Sequence, residues 1–254
     1  MHEPLTSLAS LSGRGRNPVL PIGGAGLLVQ RNGRRLIDIP EITVAGHALT
    51  VILGPNGAGK TLLMRILCGL VRPDRGQVLW GASPPTRSQA LRVGLVFQKP
   101  MLLRRSALAN VTYALSLAGV ARRERKFHAQ AALDQAGLGP LAYAPARLLS
   151  GGEQQRLQVA RAMSVAPDVL FLDEPTASAD PASTATIEDL IRRAAASGTK
   201  IVLVTHDLGQ ARRMAEDVIF MNRGRIIESA PAAGFFHEPQ SEAAKAYLAG
   251  QIVL

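Results

Sequence analysis

Short β-rich apolar runs alternate along this chain with longer segments in which apolar residues recur at helical spacing. The runs at residues 48–53, 93–97, 169–172, 201–205, 218–221 and 225–228 read as strands, the last two joined through Asn222-Arg223-Gly224. From residue 100 to about residue 167 no strand-like run occurs, and the stretches 107–120 and 121–137 are helical in composition and spacing. This order predicts an α/β fold: a largely parallel sheet flanked by helices, with an all-helical lobe inserted between two halves of the sheet. Residues 1–24, with Ser12-Gly13-Arg14-Gly15-Arg16 and Pro21-Ile22-Gly23-Gly24-Ala25-Gly26, read as a flexible lead-in, order beginning near Leu27. Residues 25–240 are then expected to form a single domain with the helical lobe at about 100–165, and residues 241–254 a C-terminal tail or helix.

Composition narrows what such a fold can do. Hydrophobic residues make up 47% of the 254 and aromatic residues 4%, so the core must be aliphatic. Lys and Arg number 29 against 19 Asp and Glu, a formal net charge of +10 that favours an anionic partner: nucleotide, nucleic acid or acidic lipid surface. The one cysteine, Cys68, excludes an internal disulfide and a thiolate zinc site and reads as a small buried thiol. The N-terminal stretch has neither a basic start nor an unbroken apolar segment, so no export signal is expected. No apolar run approaches the roughly 18 residues that cross a bilayer.

Candidate chemistry begins at Gly54-Pro55-Asn56-Gly57-Ala58-Gly59-Lys60-Thr61, which fits the phosphate-loop pattern in its proper setting. An apolar run precedes it, and a helix follows with Leu62, Leu63, Ile66, Leu67 and Leu70 on one face. Such a loop curls successive backbone N–H groups around phosphate oxygens at a helix N-terminus, where glycine gives the necessary room. Lys60 would reach the β and γ phosphates, and the Thr61 hydroxyl would ligate Mg²⁺. Val169-Leu170-Phe171-Leu172-Asp173-Glu174 is a buried-strand run ending in two carboxylates, suited to a Mg²⁺ ligand (Asp173) and a base for attacking water (Glu174); alone, it is equally a loop-facing acidic pair. Ser150-Gly151-Gly152-Glu153 opens another helix, both as a Ser150/Glu153 capping box and as an anion site, and the two readings are compatible.

Taken with Gln98 at a strand end, Leu149-Ser150-Gly151-Gly152-Glu153-Gln154, Asp173-Glu174-Pro175-Thr176, Asp180 and His206, this order of motifs resembles the ATP-binding cassette family from about Leu27 onward. The resemblance implies a P-loop NTPase core with a mixed, mostly parallel sheet, an N-terminal antiparallel β part, and the helical lobe as the signature-bearing subdomain. It implies ATP and Mg²⁺ as cofactors. The whole loop 54–61, Leu62, Ser150, Gly151, Gly152 and Asp180 would then meet the nucleotide, and Thr61, Gln98 and Asp173 the metal. Lys60, Gln98, Glu174 and His206 would serve catalysis, His206 at the γ phosphate. Three departures stand out. Arg31, within Gln30-Arg31-Asn32, occupies the place of the aromatic that stacks on adenine, a role its guanidinium plane could fill. Leu62 replaces a hydroxyl residue, and Thr176-Ala177-Ser178-Ala179-Asp180 keeps the final Asp but scrambles the usual Ser-Ala-Leu before it.

By the same resemblance two copies sandwich ATP as a homodimer, each signature completing the other's site. The implied role is the motor of an importer, peripheral on the cytoplasmic face of the membrane, with an integral-membrane permease and a periplasmic or extracellular solute-binding protein. Lys99-Pro100-Met101-Leu102-Leu103-Arg104-Arg105-Ser106 is an apolar patch closed by arginines where the family docks its permease; core packing is its other reading. Local wording around Lys60, Gln98 and His206 is similar to the ATPases of tungstate-type oxyanion importers, with phosphate and molybdate importers next. The alternative is a soluble cassette ATPase serving cofactor assembly or nucleic acid. Scarce aromatics argue against nucleic acid, and Arg122-Arg123-Glu124-Arg125-Lys126 reads as a solvated face.

Overall fold

A computed structural model describes residues 18–46, 49–177 and 179–251. The rest of the expected lead-in, Ala48 of the first strand run, and Ser178 lie outside the described residues. The chain divides into two compact units, residues 91–199 on one hand and residues 18–90 with those from 200 onward on the other. The phosphate-loop unit opens with β1 (Ile22–Arg31), β2 (Arg34–Val44), β3 (Thr50–Leu53), α1 (Lys60–Leu67), β4 (Arg75–Trp80) and the short α2 (Arg87–Ala90). The other unit follows with β5 (Val93–Val96), α3 (Ala107–Leu117), α4 (Arg122–Gln135), α5 (Gly151–Met163), β6 (Val169–Asp173) and α6 (Pro181–Ala196). The chain then returns through β7 (Lys200–Thr205), α7 (Leu208–Met214), β8 (Asp217–Asn222), β9 (Arg225–Pro231), α8 (Ala232–His237) and α9 (Glu242–Leu248).

In the phosphate-loop unit β2, β1 and β4 pair antiparallel in that order. Ile22, Leu27 and Val29 of β1, and Ile37, Ile39, Ile42 and Val44 of β2, are buried among exposed neighbours, as in a sheet with one dry face. Here the expected lead-in to residue 24 is corrected: β1 starts at Ile22, which is fully buried and opposes both Val44 and Trp80. Its glycines read as loop, but the ladder to β4 shifts register between Ala25 and Leu28, an irregularity where glycine in a strand is at home. The strand runs also omitted β2 and β4, whose charged and polar residues break up their apolar positions.

A second set of strands centres on β3, parallel to both β7 and β8, with β9 antiparallel to β8. The arrangement is therefore mixed and mostly parallel. β3 and β7 are buried at every position, which is why they stand out as unbroken apolar runs. Burying Val51, Ile52 and Leu53 stabilises the unit by about 1.5–3 kcal/mol per side chain. α1 stops at Leu67, so Leu70 lies beyond the helix and is exposed, while Met64 turns inward.

In the other unit β5 and β6 pair parallel, Val93 opposite Val169. The described elements between them are all helical, packed through Val111, Leu115, Ala129, Leu133 and Leu157. α3 is capped by Ser106, whose Oγ accepts from Ala109 N at 3.2 Å. Among the described residues no helix is long and apolar enough to cross a membrane.

Candidate nucleotide site

Residues 54–59 link the end of β3 to the start of α1. Gly54 has φ of 153°, and a Cβ there would lie 2.2 Å from the Met221 carbonyl oxygen, so only glycine fits. Gly224 N, in the β8–β9 turn, donates to Ala58 O at 2.9 Å, and Asp38 N donates to Gly224 O at 2.9 Å, tying the loop to hairpin and β2. No side chain caps α1 at Gly59. The first-turn N–H groups of a helix face its N-terminal end, which places those of Thr61 and Leu62 where an anion is received. Lys60 is buried and folds back on the loop, its Nζ donating to Gly54 O at 2.7 Å and Pro55 O at 3.0 Å. His206 follows β7 in this same unit. Arg31 is engaged by Asp74: its Nη1 donates to Asp74 Oδ2 at 3.0 Å and to Gln30 O at 2.6 Å.

The other unit brings Gln98 and Glu174 together. Val96 opposes Leu172 in the β5–β6 register, so the residues two places on emerge side by side, and Gln98 Nε2 donates to Glu174 Oε2 at 3.2 Å. Glu174 adopts φ of 46°, a left-handed backbone that costs a side-chain-bearing residue about 1–3 kcal/mol. Asp173 is buried at the end of β6. A metal ligand and a base can thus stand at successive positions, one sunk in the sheet and one at its rim.

At the signature, the Ser150/Glu153 capping box is present: Ser150 Oγ accepts from Glu153 N at 3.3 Å and Ser150 N donates to Glu153 Oε2 at 2.7 Å. The Ser150 backbone N–H first, and then the Ser150 side chain, hold the Glu153 carboxyl below its ordinary pKa. Ser150 and Gly151 are exposed, whereas Gly152 is buried; a Cβ on Gly152 would lie 2.5 Å from Ser183 Oγ and 3.1 Å from Asp180 Oδ2. Asp180 caps α6, its Oδ1 accepting from Ser183 N at 2.9 Å, and that bond leads the causes that depress its pKa. Gly152, expected at the nucleotide, lets α5 lie close against Ser183 and Asp180 at the start of α6.

Sequence reasoning missed three amides and a phenol. Gln155 Nε2 and Gln158 Nε2 of α5 both donate to Phe97 O, at 3.2 and 2.8 Å, fixing the residue before Gln98. Gln158 Oε1 also accepts from Met101 N at 2.6 Å, and Asn110 Oδ1 from Leu103 N at 2.8 Å. The segment expected to dock a permease is therefore pinned from below, with Met101 exposed and Leu102 and Leu103 half-buried. Buried glutamines on an otherwise apolar helix face were the available signal. Tyr247 of α9 gave none: its hydroxyl donates to His206 O at 3.1 Å and lies 3.4 Å from Gly54 O.

Comparison with known proteins decides the family, since a model described as ABC transporter matches residues 38–177. The chain belongs to the ABC transporter family. It is 36% identical over 241 residues to a phosphate import ATP-binding protein of Natronomonas pharaonis, covering 87% of this chain and 84% of that one. It is 38% identical over 209 residues to the tungstate uptake system ATP-binding protein of Peptoclostridium acidaminophilum, covering 80% and 94%. Other relatives are named for methionine, Fe(3+) and glutamine import. A dimeric post-hydrolysis structure of an ATP-binding cassette bound to ADP and Pi superposes with a TM-score of 0.74 at 25% identity, covering 83% of this chain and 98% of that chain. This ABC protein is accordingly an ATPase whose hydrolysis is coupled to transport.

Proposed function

We propose that this ABC protein is the ATP-hydrolysing motor of an importer for an oxyanion, tungstate ahead of phosphate and molybdate. The Gln98–Glu174 contact carries the hydrolytic part of that reading: a carboxylate at a strand end, oriented by an amide, is placed as general base for water. Lys60 reaches the β and γ phosphates, and His206 the γ phosphate. Mg²⁺ fits the oxygen donors present, a buried Asp173 carboxylate with Gln98 beside the base and the Thr61 hydroxyl as a further expected ligand. When bound, the ion neutralises charge on the phosphate oxygens. Arg31 is proposed to lie against adenine with Asp74 holding its guanidinium.

Two copies are proposed to act as a homodimer, supported by the exposed Ser150 and Gly151 and by the dimeric cassette that the chain resembles. An integral-membrane permease would dock at exposed Met101, placing the pair on the cytoplasmic face of the membrane, with a solute-binding protein outside. The oxyanion is supported by the tungstate and phosphate relatives, 38% and 36% identical, and by a probable anion import ATP-binding protein of Haloferax volcanii at 36%. The test is accumulation of tungstate, molybdate and phosphate in cells lacking this protein. Loss of tungstate uptake, restored by the parent chain and not by Glu174→Gln, is expected; intact tungstate uptake with another solute lost would overturn the assignment.

A further inference from the structure

We propose that Tyr247 is a positioning residue that couples the phosphate loop to His206. This rests on the assignment of Lys60 and His206 to the phosphates. The Tyr247 hydroxyl has one hydrogen and faces two carbonyl acceptors, His206 O at 3.1 Å and Gly54 O at 3.4 Å. Gly54 O is at the same time the 2.7 Å acceptor of the Lys60 ammonium. A phosphate drawn into the loop competes with Gly54 O for that ammonium, because a charged acceptor makes the stronger bond. As Lys60 turns to the phosphate, the Tyr247 hydroxyl is the donor positioned to take its place at Gly54 O. In doing so it releases His206 O, and nucleotide binding at Lys60 is felt at the backbone of the residue that meets the γ phosphate.

The surroundings suit such a device. Gly54 cannot shift toward β8, where the Met221 carbonyl blocks it. The Tyr247 ring is held against Phe220, centroids 5.3 Å apart, and Phe220 in turn lies 5.8 Å from Phe235. α9 itself is anchored at its start, where Ser241 Oγ accepts from Ala244 N at 3.2 Å and donates to Glu228 Oε2 of β9 at 2.7 Å. Ring and helix are fixed, so the hydroxyl proton is the part free to choose between its two acceptors.

The test is steady-state ATP hydrolysis by the full chain carrying Tyr247→Phe, which keeps the ring on Phe220 and removes only the hydroxyl. A neutral hydrogen bond predicts a kcat lower by about fivefold, with KM for ATP within about twofold. In a His206→Ala background Tyr247→Phe should have no further effect, since it acts through that residue. Ser241→Ala, which loosens the anchored start of the helix that carries the hydroxyl, should lower kcat in the parent and have no further effect in a Tyr247→Phe background. An unaltered kcat in Tyr247→Phe, a loss that adds to that of His206→Ala, or a loss in Ser241→Ala that persists undiminished in the Tyr247→Phe background would overturn the proposal. Lys60→Ala separates the premise: unchanged ATP affinity there would sink the phosphate-loop assignment, independently of what Tyr247→Phe does.

Discussion

Glu174 holds a left-handed backbone at φ 46° with its carboxylate 3.2 Å from the Gln98 amide, and single-atom changes there should be decisive. Glu174→Gln keeps the shape but cannot take a proton from water. Turnover should fall by about a hundredfold or more while ATP binding survives, giving an ATP-dependent dimer on size-exclusion chromatography. Hydrolysis at the parent rate would remove Glu174 from the role of base. Cys68 offers a second residue-scale check. Burial pushes its thiol up to about 11, so the native chain should resist alkylation at pH 8 and react only under denaturing conditions. The sequence revealed these residues because their chemistry is written in identity and spacing. It could not reveal the strain at Glu174, which is a property of how β6 ends.

The paired helices α5 and α6 show the same division at the scale of elements. The Ser150/Glu153 capping box was legible from a three-residue spacing and is present in the helix. Gly152 was legible only as part of a motif, whereas the structure shows it as the close approach of α5 to Ser183 and Asp180. Gly152→Ala would put a Cβ 2.5 Å from Ser183 Oγ, so a loss of about 1–3 kcal/mol is expected in a urea titration. A variant of parent stability would mean that α6 yields without cost. β1, β2 and β4 mark the other limit. Their half-buried, glycine-containing or charged runs do not stand out from loops until paired strands give them a dry face.

At the scale of the whole molecule, several arginines among the described residues are held in ion pairs. Arg31 pairs with Asp74, Arg35 and Arg225 share Asp38, and Arg192 pairs with Glu188. Lys200 is different: it is fully buried at the start of β7, with Nζ donating to Thr50 Oγ1 at 2.8 Å. Burial lowers its pKa from the ordinary 10.5, while the Asp217 and Glu216 carboxylates oppose the shift. Between the lowered value and 10.5 the unfolded chain binds more protons than the folded one, so this residue adds stability as pH rises through that window. The stability of the parent relative to Lys200→Met should accordingly rise with pH toward 10.5 in denaturant titrations. A difference that stays flat or falls would show that Lys200 is not buried as a strained cation.

The sequence by itself determined the family and the alternation of strands and helices, because the phosphate-loop and signature motifs and double-sided burial leave local patterns. Only the tertiary structure decided where β1 begins, which helix contact requires Gly152, and that Tyr247 reaches Gly54. That last pair is 193 residues apart, and no periodicity within either segment encodes a contact that exists only once the strands between them have paired.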